Sequence, residues 1–165
     1  QTAIEREKDR FGQILKADDV SGTAMGVLPF LAAGPGELVL ANRDVDKAVA
    51  LARQVGSKGR VRACGYAELE GSGRFDLVVN ATSASLKGEL PPVPPSVFDP
   101  QGTAYELAYG KGLTPFLRLA RNAGVRGVAD GVGMLVEQAA EAFEWWRGVR
   151  PETVAVIDRL TVPLA

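Results

Sequence analysis

The chain has no histidine among its 165 residues, and this absence removes a large block of chemistry. Without imidazole there is no Ser-His-Asp or Cys-His nucleophile, no histidine general base and no histidine metal triad. The single cysteine, Cys64, forms no internal disulfide, and one thiol without histidine does not make an ordinary structural zinc site. We therefore predict no metal site, and we interpret Cys64 as a small strand residue.

Long apolar runs and an excess of one charge are also lacking. The 19 Lys and Arg residues balance 20 Asp and Glu residues, so the chain lacks the excess of positive charge that favours nucleic acid binding. No apolar run approaches the ~20 residues of a membrane span, and the first ten residues lack the order of a signal peptide. We expect a cytoplasmic protein with no nucleic acid and no membrane partner.

What the chain does contain is an alternation of strand-like and helix-like segments. Apolar patterns predict strands at 37–41, 60–64, 75–80, 103–109 and 125–129, and helices at 22–33, 45–55, 114–123, 132–146 and 151–160. Such alternation implies right-handed crossovers and a parallel sheet covered on both faces. The predicted fold class is α/β, Rossmann-like, with the proline-rich stretch 91–95 as a spacer inside the domain.

Residues 41–47 follow the short apolar strand and open the next helix. This position lies at the carboxyl edge of a parallel sheet, where open α/β sheets bind nucleotides. Arg43 offers a planar fork of donors that stacks on adenine and holds a ribose phosphate. The alternative for this segment is an ordinary solvated turn of mixed charge.

A second polar loop, Asn80–Leu86, follows the most apolar predicted strand. It presents an amide and three hydroxyls at the same edge, and these groups bind ribose hydroxyls, phosphate or a carboxamide. The alternative is an Asx or Ser/Thr turn whose side chains satisfy their own backbone.

Four segments, taken in order and spacing, resemble the shikimate dehydrogenase family. They are Asn42–Ala48, Asn80–Ser83, Tyr105–Leu117 and Asp130–Ala140, and the last is the most diagnostic. The resemblance covers about residues 22–160 and corresponds to the family's carboxyl-terminal, cofactor-binding domain. It implies an oxidoreductase that interconverts shikimate and 3-dehydroshikimate with NADP in aromatic amino acid biosynthesis.

The resemblance also implies site residues. Those assigned to the cofactor are Gly22, Asn42, Arg43, Lys47, Asn80, Ala81, Thr82, Leu107, Gly131, Met134 and Leu135. Tyr109 and Gln138 match residues that contact the substrate. Asp44 stands where the family often has threonine, and a carboxylate repels a phosphate, so the preference for NADP over NAD stays open.

Two departures from the family limit what the resemblance implies. Its glycine-rich loop is replaced by Asp19-Val20-Ser21-Gly22-Thr23, in which a carboxylate and two side chains crowd a pyrophosphate site. We therefore expect cofactor affinity to be badly weakened or lost. Residues 1–19 do not resemble the family, so we predict an atypical helical or disordered segment there and a Rossmann-like domain at 20–165.

The family's catalytic Lys-Asp pair belongs to an amino-terminal substrate domain that we do not find in this sequence. We therefore assign no catalytic residue and expect little activity from the chain alone. Loss of the partner domain would favour a homo-oligomer. The alternatives are a nucleotide-binding module without catalysis and a purely structural interaction domain.

Overall fold

A computed structural model describes the backbone of residues 12–15 and the whole of residues 27–164. Its strands are β1 (Gly12–Leu15), β2 (Glu37–Ala41), β3 (Val61–Cys64), β4 (Phe75–Asn80), β5 (Phe98–Glu106) and β6 (Gly127–Ala129). Its helices are α1, described at 27–32, α2 (Val45–Val55), α3 (Pro115–Asn122), α4 (Val132–Arg147) and α5 (Val154–Leu160). The strands form one parallel sheet in the order β3-β2-β1-β4-β5-β6.

Strand β1 lies at the centre of this sheet. It pairs with β2 on one side and β4 on the other, so that Ile14 is in register with both Val39 and Val78. The prediction of a helical or disordered segment at 1–19 is therefore wrong for Gly12–Leu15. The remainder of that segment lies outside the described residues, and the domain division at residue 19 stays a prediction.

Most of the other elements lie where the periodicity predicts them. The bounds of β2, α2 and β4 agree with the predicted ranges, and Cys64 is a buried strand residue as expected. Strand β5 differs, because it begins at Phe98 and ends at Glu106 rather than covering 103–109. Its early part pairs with β4 through a register shift, and such an irregularity tolerates a proline inside a strand.

The two faces of the sheet bury separate apolar clusters, as the alternation of strand side chains requires. One cluster joins the sheet to α1 and α2 and contains Val27, Leu38, Leu40, Leu51 and Val79. The other joins it to α3 and contains Val39, Ala41, Val78, Phe116 and Leu117. Helices on both faces confirm the predicted α/β class.

Within the described residues, no helix is long and apolar enough to cross a membrane. The same residues contain no cluster of three or more acidic or cysteine side chains arranged to hold a metal ion.

Candidate functional site

The carboxyl ends of β2, β1 and β4 meet at one edge of the sheet, and the strand order reverses between β1 and β4. Helices leave the sheet on opposite faces at such a switch point, which opens a crevice for a ligand. Near this edge the described residues leave only a small void of about 10 Å³, room for about one water molecule, which Ala41, Asn80 and buried Phe116 help to line. The strand ends at the switch point, rather than this void, are the reference point for the predicted site residues.

The segment after β2 combines a firm turn with an exposed cation. Asn42 is only 3% exposed, and its Oδ1 accepts a hydrogen bond of 3.0 Å from the backbone amide of Asp44. Arg43 is exposed, as is Lys47, whose Nζ lies 4.0 Å from Asp44 Oδ2. The buried asparagine therefore fixes the turn that presents Arg43 to solvent at the carboxyl end of β2.

The loop after β4 turns its polar side chains inward. Asn80 Oδ1 accepts from the backbone amide of Thr82 at 3.1 Å, and Thr82 Oγ1 accepts from that of Ala84 at 3.0 Å. Asn80 Nδ2 donates to Glu106 Oε2 at 2.9 Å and to Ser85 Oγ at 3.3 Å. The interpretation that the Asn80 amide and the Ser85 hydroxyl are presented at the edge is wrong. Both groups form hydrogen bonds inside the protein, with each other and with the buried carboxylate of Glu106.

Glu106 is the residue of this site that sequence analysis missed. Its side chain is fully buried at the end of β5, and its carboxylate accepts from Asn80, from Ser85 Oγ at 2.5 Å, from Thr114 Oγ1 at 3.2 Å and from the amide of Ala108 at 3.4 Å. A single acidic residue in the middle of the predicted strand 103–109 is the signal that points to it. That signal says nothing about burial.

Burial raises the pKa of Glu106, and its hydrogen bonds with Ser85, Asn80, Ala108 and Thr114 act in the opposite direction. Thr114 also caps α3, because its Oγ1 accepts from the amide of Leu117 at 3.2 Å. Glu106 thus ties the loop after β4 to the start of α3.

The backbone after β5 lies directly against the start of α4. The amide of Gly131 donates to the carbonyl oxygen of Ala108 at 3.3 Å, and a Cβ on Gly131 would overlap the Leu107 carbonyl. The amide of Leu107 donates in turn to Asn80 O at 3.0 Å. Asn80, Leu107 and Gly131, three of the predicted cofactor residues, therefore form one continuous wall.

Asp130, just before α4, completes this wall. Its Oδ1 accepts from the amide of Val132 at 3.1 Å, while its buried Oδ2 has no hydrogen-bond partner in the described part of the chain. Desolvation and the Asp130 carboxylate raise the pKa of Tyr105 on the neighbouring strand to about 12. Sequence analysis assigned no role to this acid, although it opens the most diagnostic segment.

The remaining predicted residues lie outside this wall and outside the turn after β2. Tyr109 and Gln138 are exposed, Leu135 is exposed, and Met134 is half-buried one turn before Gln138 on α4. Ala81 packs with the cluster beneath α1 and α2. Gly22 and the altered glycine loop lie outside the described residues.

The tryptophans of α4 do not pack against the domain. Trp145 is 85% exposed and Trp146 is 72% exposed, with Phe143 half-exposed nearby. Both indoles therefore lie on the surface of this fold rather than in its core. They form an apolar surface at the carboxyl end of α4.

The strand order, the switch point and the polar turns after β2 and β4 define a Rossmann-like α/β domain. Residues 131–161 match the family model described as the Shikimate 5'-dehydrogenase C-terminal domain. The chain also matches the shikimate dehydrogenase (NADP(+)) of Dechloromonas aromatica at 52% identity over 144 residues. That match covers 87% of this chain and 52% of the relative.

Solved structures agree with this relationship. The Ael1 enzyme of Pseudomonas putida is 57% identical with a TM-score of 0.87, over 99% of this chain and 59% of that one. The shikimate 5-dehydrogenase of Thermus thermophilus, in complex with NADP(H) and shikimate, is 27% identical with a TM-score of 0.73, over 90% and 54% of the two chains. The chain belongs to the shikimate dehydrogenase family, and it spans about half the length of the curated relatives it matches.

Proposed function

We propose that this chain is the cofactor-binding part of an NADP-dependent shikimate dehydrogenase, which reduces 3-dehydroshikimate to shikimate in the cytoplasm. The observation that carries the proposal is the placement of exposed Arg43 at the end of β2, on one side of the switch point, and of the wall of Asn80, Leu107 and Gly131 beyond β4 on the other. The names of the relatives supply the reaction and the cofactor. NADPH supplies the hydride for this reduction.

The residues fit such a cofactor in two groups. Arg43 and Lys47 form a cationic pair for the 2′-phosphate, and the turn fixed by Asn42 holds them at the strand end. Ala81, Thr82, Leu107, Gly131, Met134 and Leu135 would contact the nicotinamide half. Exposed Tyr109 and Gln138 would reach the substrate carboxylate and a ring hydroxyl.

No catalytic residue is assigned in this chain. We therefore expect the 165-residue chain to bind NADPH weakly, because of its altered glycine loop, and to oxidise shikimate slowly or not at all by itself. The second candidate is a nucleotide-binding module without catalysis, and it is favoured by the exposed cations Arg43 and Lys47 after β2 in a chain to which no catalytic residue is assigned.

Fluorescence titration of the chain with NADPH and NADH tests the proposal. We expect saturable binding of both, with NADPH the tighter ligand because of the 2′-phosphate. Absence of saturable NADPH binding would contradict both candidates and leave only an interaction domain. A parallel assay of NADP reduction with shikimate separates the dehydrogenase from the module.

A further inference from the structure

The side chain of Glu106 is a buried acid that the proposed function does not use. It is fully buried, and its hydrogen-bond partners in the described chain are neutral donors: an amide, two hydroxyls and a backbone N–H. Burying a carboxylate without a cation is costly, and several donors are needed to offset that cost. The position therefore requires a strong acceptor.

The donors around Glu106 are already committed by their other contacts. Asn80 uses its Oδ1 to accept from the Thr82 amide, so its Nδ2 is the atom that faces Ser85 and Glu106, and it acts toward them as a donor. The Thr114 hydroxyl oxygen accepts from Leu117, which leaves its one hydrogen for Glu106. An acceptor at position 106 satisfies all of these donors at once.

These donors come from the segments that form one half of the proposed cofactor site. Asn80 begins the loop after β4, and Leu107, which follows Glu106, contacts Gly131 through its backbone. The Arg43 turn at the end of β2 lies two strands away from β4, and the hydrogen bond from the Asp44 amide to Asn42 Oδ1 lies within that turn. Glu106 contacts the segments of the nicotinamide half directly, and we expect its effect to be concentrated there.

We propose that Glu106 is a positioning residue that holds the loop 80–85 and the start of α3 in the geometry required by the nicotinamide half of NADPH. This inference rests on the proposed function. Glu106 contacts no ligand itself and acts through Asn80, Ser85 and Thr114.

The test compares two ligands that occupy different lengths of the site. Adenosine 2′,5′-bisphosphate engages only the Arg43 end, whereas NADPH engages both ends. Glu106→Gln keeps the shape but removes the charge and places an NH2 against the other donors, so we expect NADPH affinity to fall about tenfold. The affinity for adenosine 2′,5′-bisphosphate should stay within about twofold.

Ser85→Ala serves as a second variant, because it removes one donor without changing the buried acid. We expect it to weaken NADPH about threefold and to leave the bisphosphate unaffected. Glu89→Gln, an exposed glutamate on the surface after the same loop, is the matched control and should change neither affinity. If Glu106→Gln does not unfold cooperatively on heating, the comparison of the two ligands rests on Ser85→Ala alone.

Equal losses for both ligands would overturn the inference, since they indicate a general structural role. Unchanged NADPH affinity in folded Glu106→Gln and Ser85→Ala would overturn it as well. A wild-type chain that binds neither ligand would contradict the proposed function itself, and the inference with it. A wild-type chain that binds both, with variants that do not discriminate, contradicts the inference alone.

Discussion

A Cβ on Gly131 would lie 2.9 Å from the carbonyl carbon of Leu107 and closer still to its oxygen. The resemblance assigns this glycine to a close approach between the backbone and the cofactor. Within the fold, the immediate reason for glycine is the protein's own backbone after β5, which leaves no space for a side chain. The contact joins the end of β5 to the first turn of α4.

Gly131→Ala should therefore force these two segments apart. We expect a loss of about 1–3 kcal/mol in the free energy of unfolding, the usual range for overpacking, together with weaker NADPH binding. Urea unfolding and NADPH titration measure the two effects. The control is Gly133→Ala, because nothing lies within 4 Å of its Cβ position in α4. It should stabilise the chain by up to ~1 kcal/mol, and a similar gain for Gly131→Ala would refute the steric assignment.

Arg43→Ala tests the 2′-phosphate end of the site. Loss of a charge-assisted contact should weaken NADPH about tenfold or more and abolish its preference over NADH, while NADH affinity changes little. The ratio of the two dissociation constants is the measured quantity. Arg53→Ala, at an exposed position in the last turn of α2, removes the same charge and should preserve the ratio. An unchanged ratio in Arg43→Ala would contradict the assignment of Arg43 to the 2′-phosphate.

Asp44→Asn tests the carboxylate that stands in the same turn at a position where the family often has threonine. The substitution removes a carboxylate from the phosphate site and frees Lys47 from a contact of 4.0 Å. We expect NADPH to bind up to about fivefold more tightly, in line with exposed charge pairs, and NADH to be unaffected. Asp158→Asn on α5 changes the net charge equally and should leave both affinities unchanged. A matching gain in this control would mean that net charge alone is responsible.

Glu106 also predicts a pH dependence of stability. Burial raises the pKa of Glu106 in the folded protein, so between its unfolded and folded pKa values the native state binds more protons. The contribution of Glu106 to stability is therefore full below the unfolded pKa and is lost as the pH rises through the folded one. Glu106→Gln does not titrate, so the difference in unfolding free energy between variant and wild type should shift in favour of the variant as pH rises. Urea unfolding from about pH 4 to about pH 8 measures this difference, and a constant difference would contradict the assignment.

The exposed indoles of α4 predict self-association. Two adjacent tryptophans, 85% and 72% exposed, bury large apolar areas when two copies meet. We expect sedimentation velocity to detect a dimer that the double variant Trp145→Gln/Trp146→Gln shifts to monomer. Leu86→Gln, at another exposed apolar position, should leave the distribution as in the wild type. A wild-type chain that stays monomeric at high concentration would exclude the homo-oligomer.

Local patterns were sufficient for much of the fold. Helix α2 and strand β4 follow from periodicity and from the residues that end them, because their apolar positions are set by neighbours close in sequence. Strand β1 could not be predicted in the same way. Gln13 interrupts its apolar character, and the segment is a strand because β2 and β4 pair with it from both sides.

The candidate site shows the same division. The positions of Arg43 and Asn80 at strand ends follow from the sequence, since each comes directly after an apolar run. The direction of the Asn80 amide does not, because it is determined by Glu106, a partner 26 residues away on the next strand. Composition alone does not distinguish a loop that offers its polar groups to a ligand from one that uses them internally.

The central position of β1 has a consequence for biosynthesis. This strand is made before either of its neighbours, and β4 begins only at Phe75. Until β4 has been synthesised, β1 and β2 present an open edge of unpaired backbone groups, the kind of surface on which chains aggregate. Slow translation or a weakened β4 should therefore reduce the yield of native protein more than the stability of the finished domain implies.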